Sequence, residues 1–382
     1  MNGTLLTLAL LALAAVLLVR ALRKGSSTGH GHDHSDNGWD DDFGGHHEGK
    51  AVAGGCKFDP DEVRRTQFMA RPDIDLSDLP APDPRVKALI DAVSEDEVRQ
   101  ILMQLSGEVP ASINGESVTI KSRSTHTDGV MQGMALVEQY YKALGIPTRR
   151  IAYKARGRTY FNLEATVVGR TTPMSVLILG AHLDSTAGWV YSAEREAPGA
   201  DDDGSGTVTL MQIAKALKEL PLDCTVRLVH FTGEEQGLWG SYRYANALSE
   251  EQGIKVIGMI QHDMVGYSPN DKARLDIHDE EDRNGSHAWT VLYFRNIKRY
   301  GIGINPFDTH NKAVKNRSDH AGFLDEGYTA VMLSEEFTDE GFNPAYHSTN
   351  DRVKLVNFTF LTNVIRATIT VAADLAGLPA AK

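Results

Sequence analysis

The sequence predicts an α/β domain with a central mixed, largely parallel sheet flanked by helices on both faces. Three observations lead there. Short apolar runs at 176–179, 226–231, 256–260 and 330–333 alternate with helical stretches such as 207–220 and a long closing one at 355–376. Strands separated by helices need crossover connections, and these cover both faces of a parallel sheet. The runs also end in polar clusters, and open α/β sheets place their sites beyond the carboxyl ends of the strands. Finally, 382 residues, 41% hydrophobic and 24% charged, are enough for one large core.

The elements follow in order. An apolar run at 5–19 is succeeded by Arg20, Arg23 and Lys24. No Lys or Arg precedes it and no small-x-small cleavage site follows, so residues 1–24 read as an uncleaved membrane anchor rather than a cleaved signal. The basic cluster behind the run would keep that side cytoplasmic. Residues 25–55 are Gly, Ser, His and Asp with almost nothing to bury, which makes a flexible linker. Five of the 14 histidines lie there: His30, His32, His34, His46 and His47. Residues 56–85 are rich in Pro and Asp and should wrap a surface. Helical spacing begins near Val86. Ser94 and Glu97 form a capping box ahead of Val98, Ile101, Leu102 and Leu105. An amphipathic run at 131–144 stops at Gly145, and the strand–helix alternation then continues, so 86–382 is one domain.

Charge and cysteine content exclude several classes. The net charge is −12, with 39 basic residues against 51 acidic ones, which argues against nucleic acid as a partner. Two cysteines, Cys56 and Cys224, make neither a disulfide framework nor a thiolate zinc site.

Five polar clusters carry the chemistry. His182 and Asp184 follow the run at 176–179. Asp201, Asp202 and Asp203 sit in a Gly-rich turn that opens the helix at Thr207. Glu234 and Glu235 follow 226–231, Asp263 follows 256–260, and His347 lies late in the chain. Singly, each has an ordinary reading: a hydrogen-bonded histidine, acidic residues favourable to a helix dipole, a solvated glutamate pair. Together they form a set of carboxylate and imidazole donors without thiolate, which suits zinc, or manganese or cobalt.

With these five clusters in this order, the chain resembles the di-zinc aminopeptidases, the leucyl-aminopeptidase type of zinc exopeptidase, from about Val86 to Leu378. The resemblance implies the zinc exopeptidase fold and two Zn2+ ions per chain. It implies Asp202 as the carboxylate bridging both ions, His182 and Asp263 completing one, and Glu235 and His347 the other. Glu234 matches the general base, and Asp184 the carboxylate that orients a ligand imidazole. Asp319 fits a supporting position behind the ligands. The peptide after the bridging aspartate is cis in the family, which makes Asp202–Asp203 a candidate. By position, Met264 and Phe342 would line the substrate pocket.

The chain departs from the family before Ser318. Well-known members carry a tyrosine there, flanked by a disulfide; here the stretch 312–317 has neither tyrosine nor cysteine. Lys315 takes the comparable place and would offer positive charge to an oxyanion. Glu335 and Glu336 would border the pocket and favour basic N-terminal residues. The expected substrates are peptide or protein N-termini. The resemblance also favours an extracytoplasmic catalytic domain, against the charge rule at the anchor. The alternatives are a glutaminyl cyclase, which shares the fold with one zinc, and a non-catalytic zinc-binding domain.

Overall fold

A computed structural model describes residues 74–269, 272–280, 285–309, 314, 316–337 and 341–379. The expected anchor, the linker with its five histidines, most of the 56–85 segment, and Lys315 lie outside the described residues. The visible part of that segment does follow a surface: Arg295 donates to the Asp75 carbonyl and Arg299 to the Ala81 carbonyl.

Two helices open the domain, α1 (Pro84–Asp91) and α2 (Glu95–Leu105). Ser94 caps α2 by accepting from the Glu97 amide at 3.3 Å, as the capping box predicts. A small hairpin, β1 (Ala111–Ile113) and β2 (Glu116–Val118), precedes α3 (Asp128–Ala143). Then come β3 (Thr148–Ala155), β4 (Arg158–Val167), β5 (Thr172–His182), α4 (Gly204–Leu217), β6 (Cys224–Phe231), α5 (Trp239–Glu250) and β7 (Lys255–His262). The chain continues through β8 (Arg274–His278), α6 (Ser286–Tyr300), β9 (Asn305–Thr309), α7 (His320–Asp325), β10 (Ala330–Ser334) and α8 (Phe358–Leu375).

Eight strands form one sheet in the order β3-β4-β6-β5-β7-β10-β8-β9. The central four, β6-β5-β7-β10, are mutually parallel. Antiparallel pairs join β3 to β4, β4 to β6 and β8 to β10. The sheet is therefore mixed with a parallel centre, as the sequence predicts. The outer strands β3, β4, β8 and β9 were not among the apolar runs: β3 and β9 are largely exposed at the sheet edges, and β4 and β8 carry polar residues such as Asn162, Glu164, Asp276 and His278 even where buried.

Alternation along β5 sorts the core. Leu177, Leu179 and Ala181 pack on the face covered by α2, α4 and α8, while Val176 and Ile178 meet α5 and α7 on the other face. Among the described residues, the helix long and apolar enough to cross a membrane is Phe358–Leu375. It is 83% buried, and it packs against α4 and α6 as a core helix.

This layout sends the carboxyl ends of β5, β6 and β7 to one edge of the sheet. The residues after those three neighbours must therefore meet.

Candidate metal centre

β5 delivers His182 as its last residue, fully buried. Its Nδ1 lies 3.0 Å from the backbone carbonyl of Asp184 and 3.7 Å from that residue's carboxylate. The carbonyl is the nearer partner that orients the imidazole. The Asp184 carboxylate instead accepts from Thr125 Oγ1 at 2.8 Å and, more distantly, from the amides of Glu234 and Glu235. It thus ties the ends of β5 and β6 together.

The three consecutive aspartates divide their work. Asp203 caps α4: its Oδ1 accepts from the Gly206 amide at 2.9 Å, and its Oδ2 from the His182 amide at 2.9 Å. Gly206 has to be glycine, since a Cβ there would lie 2.4 Å from the Asp203 carboxylate and from the His262 carbonyl. Asp202 faces the centre, with Oδ1 3.1 Å from His182 Nε2 and Oδ2 3.3 Å from His347 Nε2. Asp201 turns away and accepts from the Gly266 amide and the Asn343 side chain. The Asp202–Asp203 peptide is cis, as the resemblance implies.

The remaining ligand candidates close around Asp202. Glu235 Oε2 is 3.0 Å from His347 Nε2, and Asp263 Oδ1 is 3.6 Å from His182 Nε2. Glu234 stands just outside, its Oε2 4.0 Å from His182 Nε2. All five expected ligands and the expected base are thus gathered at one point. Asp263 is held from behind by Ser318, whose hydroxyl donates at 2.5 Å. Asp319, expected as the supporting group, accepts from Gln261 Nε2 at 3.2 Å instead. The ligand contact belongs to its neighbour.

Sequence reading missed the anchoring of the bridging turn. Asp351 accepts from the amides of both Asp201 and Asp202, and Asn343 donates to Asp201 at 2.9 Å. Arg123, fully buried, donates to four backbone carbonyls, those of Leu105, Leu183, Pro198 and Gly199. It therefore braces both loops that carry ligands. An isolated Asp or Arg in a loop gives no sequence signal of such a role.

The electrostatics reflect two imidazoles amid buried carboxylates. Burial alone would raise the Asp202 carboxyl, but the imidazoles of His182 and His347 against its two oxygens hold it below the usual range. Burial opposes charging His347, yet Asp202 and Glu235 push it up to about 10. Glu235 rises to about 8, first through burial and then through the Asp202 charge. Burial and the charges of Asp263 and Glu235 push Glu234 well above the carboxylate range against the pull of His182. His182 Nε2 and Glu235 Oε1 are buried without a hydrogen-bond partner. An imidazole nitrogen with that lack, facing the carboxylates of Asp202 and Asp263 at 3.1 and 3.6 Å, fits a divalent cation.

A cavity of about 750 Å3 opens onto these groups. Its walls include Met264 and Phe342, as expected, together with Leu238, Met332, Phe337 and Tyr346. Glu335 and Glu336 do not line it. Glu335 is buried, its Oε1 accepting from the Asn343 amide at 2.6 Å, and Glu336 accepts from Arg274 at 2.9 Å. Both are occupied by structural partners, so the expected preference for basic residues loses its basis. Arg317 lies at the cavity wall, two residues beyond Lys315.

Residues 162–372 match Peptidase family M28. Aminopeptidase Y of Saccharomyces cerevisiae is 30% identical over 54% of this chain and 38% of its own length. The chain thus spans well under half of that relative. Among solved structures, the LapA aminopeptidase of Legionella pneumophila superposes with a TM-score of 0.62 at 22% identity, covering 76% of this chain and 74% of that one. Fimbriiglobus ruber glutaminyl cyclase superposes with a TM-score of 0.59 at 18% identity, covering 73% of this chain and 95% of that one. At these identities the likeness concerns the fold alone.

Proposed function

The chain belongs to peptidase family M28, and its relatives include aminopeptidase Y and a probable zinc metalloprotease; from that premise we propose that it removes N-terminal residues from peptides, with two Zn2+ ions and Glu234 as general base. The observation that carries the reading is the Asp202 carboxylate, one oxygen turned to His182 and the other to His347. His182, Asp202 and Asp263 would hold one ion, and His347, Asp202 and Glu235 the other. When bound, such a pair activates water at neutral pH and polarises the scissile carbonyl.

The chain's own residues do the rest. Glu234 is adjacent to Glu235 but turns towards His182 rather than His347. It is free to take a proton from the attacking water and deliver it to the leaving amine as the amide C–N bond breaks. The acidic surroundings receive the substrate's α-ammonium, which restricts cleavage to the chain end. Met264, Met332, Phe337 and Phe342 accommodate the first side chain, so leucine, methionine and phenylalanine should be preferred over charged residues. Loading must displace the protons held by His347 and Glu235. Zinc affinity should therefore rise with pH.

Glutaminyl cyclase is the second reading, since a cyclase shares the fold. The complete donor set on both sides of Asp202 favours the peptidase. A panel of aminoacyl amides and Gln-initiated peptides, run on zinc-loaded protein with the metal counted, separates the two. About two zinc ions with release of apolar N-terminal residues is expected; one zinc with pyroglutamate formation overturns the reading. Glu234→Gln should lower kcat by at least about a thousandfold and leave the zinc content unchanged, with a non-catalytic domain excluded by the wild-type turnover.

A further inference from the structure

The exposed large apolar side chains among the described residues are Val168, Met174, Trp189, Tyr191, Phe307 and Tyr346. Three of these, all aromatic, belong to two segments that meet at the metal centre. Tyr346 lies on the cavity wall with its ring stacked on His347, centroids 3.7 Å apart. Trp189 and Tyr191 sit on the loop after β5. That loop touches the centre from the other side: a Cβ at Gly188 would lie 3.4 Å from the His347 carbonyl, and Gln236, next to Glu235, donates to the Val190 carbonyl at 2.9 Å.

The loop is held firmly. The buried Glu194 carboxylate accepts from the amides of Ala187 and Trp189 and from the Thr186 hydroxyl, at 2.7–3.0 Å. Both the amide and the hydroxyl of Ser192 donate to the Trp189 carbonyl. Arg156 packs over the Tyr191 ring at 4.4 Å. A buried carboxylate with three donors thus fixes a backbone whose tryptophan is 75% exposed and whose tyrosine is 59% exposed. Scattered apolar residues on a surface mean little. Aromatic rings grouped at the mouth of a site and presented on a fixed backbone are a binding surface, because little side-chain freedom is lost when they are covered.

The sheet order sets its direction. Met264, Met332, Phe337 and Phe342 place most of the apolar wall at and beyond β7 and β10, whereas the aromatic loop follows β5 and is tied to the segment after β6 through Gln236. A peptide whose first side chain fills the pocket leaves across the aromatic loop. We propose that Trp189 and Tyr191, continued by Tyr346, bind the substrate residues downstream of the scissile bond and favour apolar or aromatic ones there. This rests on the aminopeptidase reading.

The test compares leucine amide, which has no residue beyond the scissile bond, with the tetrapeptide Leu-Phe-Phe-Ala, on the full zinc-loaded chain. Trp189→Ala and Tyr191→Ala should each lower kcat/KM for the tetrapeptide about tenfold, through KM, and leave leucine amide within about twofold. Trp189→Phe should restore most of the loss. Equal effects on both substrates, or none on the tetrapeptide, overturn the proposal. Calorimetric binding of the tetrapeptide to the Glu234→Gln protein, with and without Trp189→Ala, reads the surface apart from turnover. Binding weakened about tenfold by Trp189→Ala supports the surface even if the wild type hydrolyses neither substrate, an outcome that would sink the aminopeptidase reading alone. Binding that ignores Trp189 overturns the surface.

Discussion

The ligand floor of the cavity and its apolar wall are built from the chain in different ways. The floor residues His182, Glu234, Glu235 and Asp263 sit at or just past the ends of β5, β6 and β7, three neighbours of a parallel sheet. Hydrogen-bond register fixes where each strand ends, so position and direction are local properties. The wall residues Leu238, Met264, Phe337 and Phe342 lie in turns and loops. Leu238 and Met264 take φ of 62° and 55°, which a non-glycine residue adopts only where its surroundings enforce it. Phe337 and Phe342 meet edge to face at 5.3 Å, beside a loop fixed by the Asn343 amide on Glu335. The strand-end ligands are set by register, while the wall and the ligands Asp202 and His347, which lie in a turn and a loop, depend on long-range contacts, so damage should spread from the wall's supports to the floor only where the two share an anchor.

Asp351 is such an anchor, reaching the bridging turn from the loop that carries His347. Asp351→Ala removes the acceptor for the amides of Asp201 and Asp202 and should weaken zinc binding about 10- to 100-fold in chelator competition. Unchanged affinity would break the comparison, since the floor would then stand without the loop. Phe342→Ala should act on the wall alone. Phe342 is half-buried at the pocket, and one methylene-scale contact in an apolar pocket is worth about 1–3 kcal/mol, so the preference for leucine over alanine at the substrate N-terminus should fall about tenfold with zinc content intact. A parallel loss of zinc would show that wall and floor are one unit.

The smallest effect concerns stability. His230 lies behind the floor, within hydrogen-bond distance of Tyr141, and His278 lies behind the wall, its ring 5.5 Å from that of Phe337. Burial pushes both down to about 3. Each stays neutral when folded, while the unfolded chain takes up a proton near pH 6.5. The stability each contributes is therefore complete above about pH 6.5 and is lost as the pH falls towards about 3, at most about 1.4 kcal/mol per unit for each group. His230→Gln should flatten urea-unfolding stability between pH 6.5 and 5 by about one proton's worth. A slope identical to wild type would mean that His230 is charged in the folded chain.

These differences track what was legible beforehand. Most ligand candidates followed an apolar run or opened a helix, so periodicity pointed to their positions, while their roles, and His347 itself, came from the resemblance. Phe342 and Met264 were assigned to the pocket only through resemblance to a family, and Met332 and Phe337 were not found, since an apolar residue near a strand end reads equally as core. Glu335 and Glu336 were expected at the pocket because they are acidic and adjacent to it in sequence. The structure turns both to other partners, Glu335 to the Asn343 amide and Glu336 to Arg274.

By itself, the sequence determined the α/β architecture, the order of the strand-end clusters and the donor chemistry. These depend on local periodicity and on residue type, both of which are written along the chain. Only the tertiary structure decided what holds the turn of three aspartates, with Asp351 and Asn343 reaching it from the loop of His347. It likewise decided that Ser318 rather than Asp319 holds Asp263, that the pocket wall is largely apolar, and that the loop carrying the exposed Trp189 meets the His347 carbonyl at Gly188. Each of those outcomes depends on hydrogen bonds or packing between residues far apart in the chain, and no local pattern encodes which distant partner a side chain will meet.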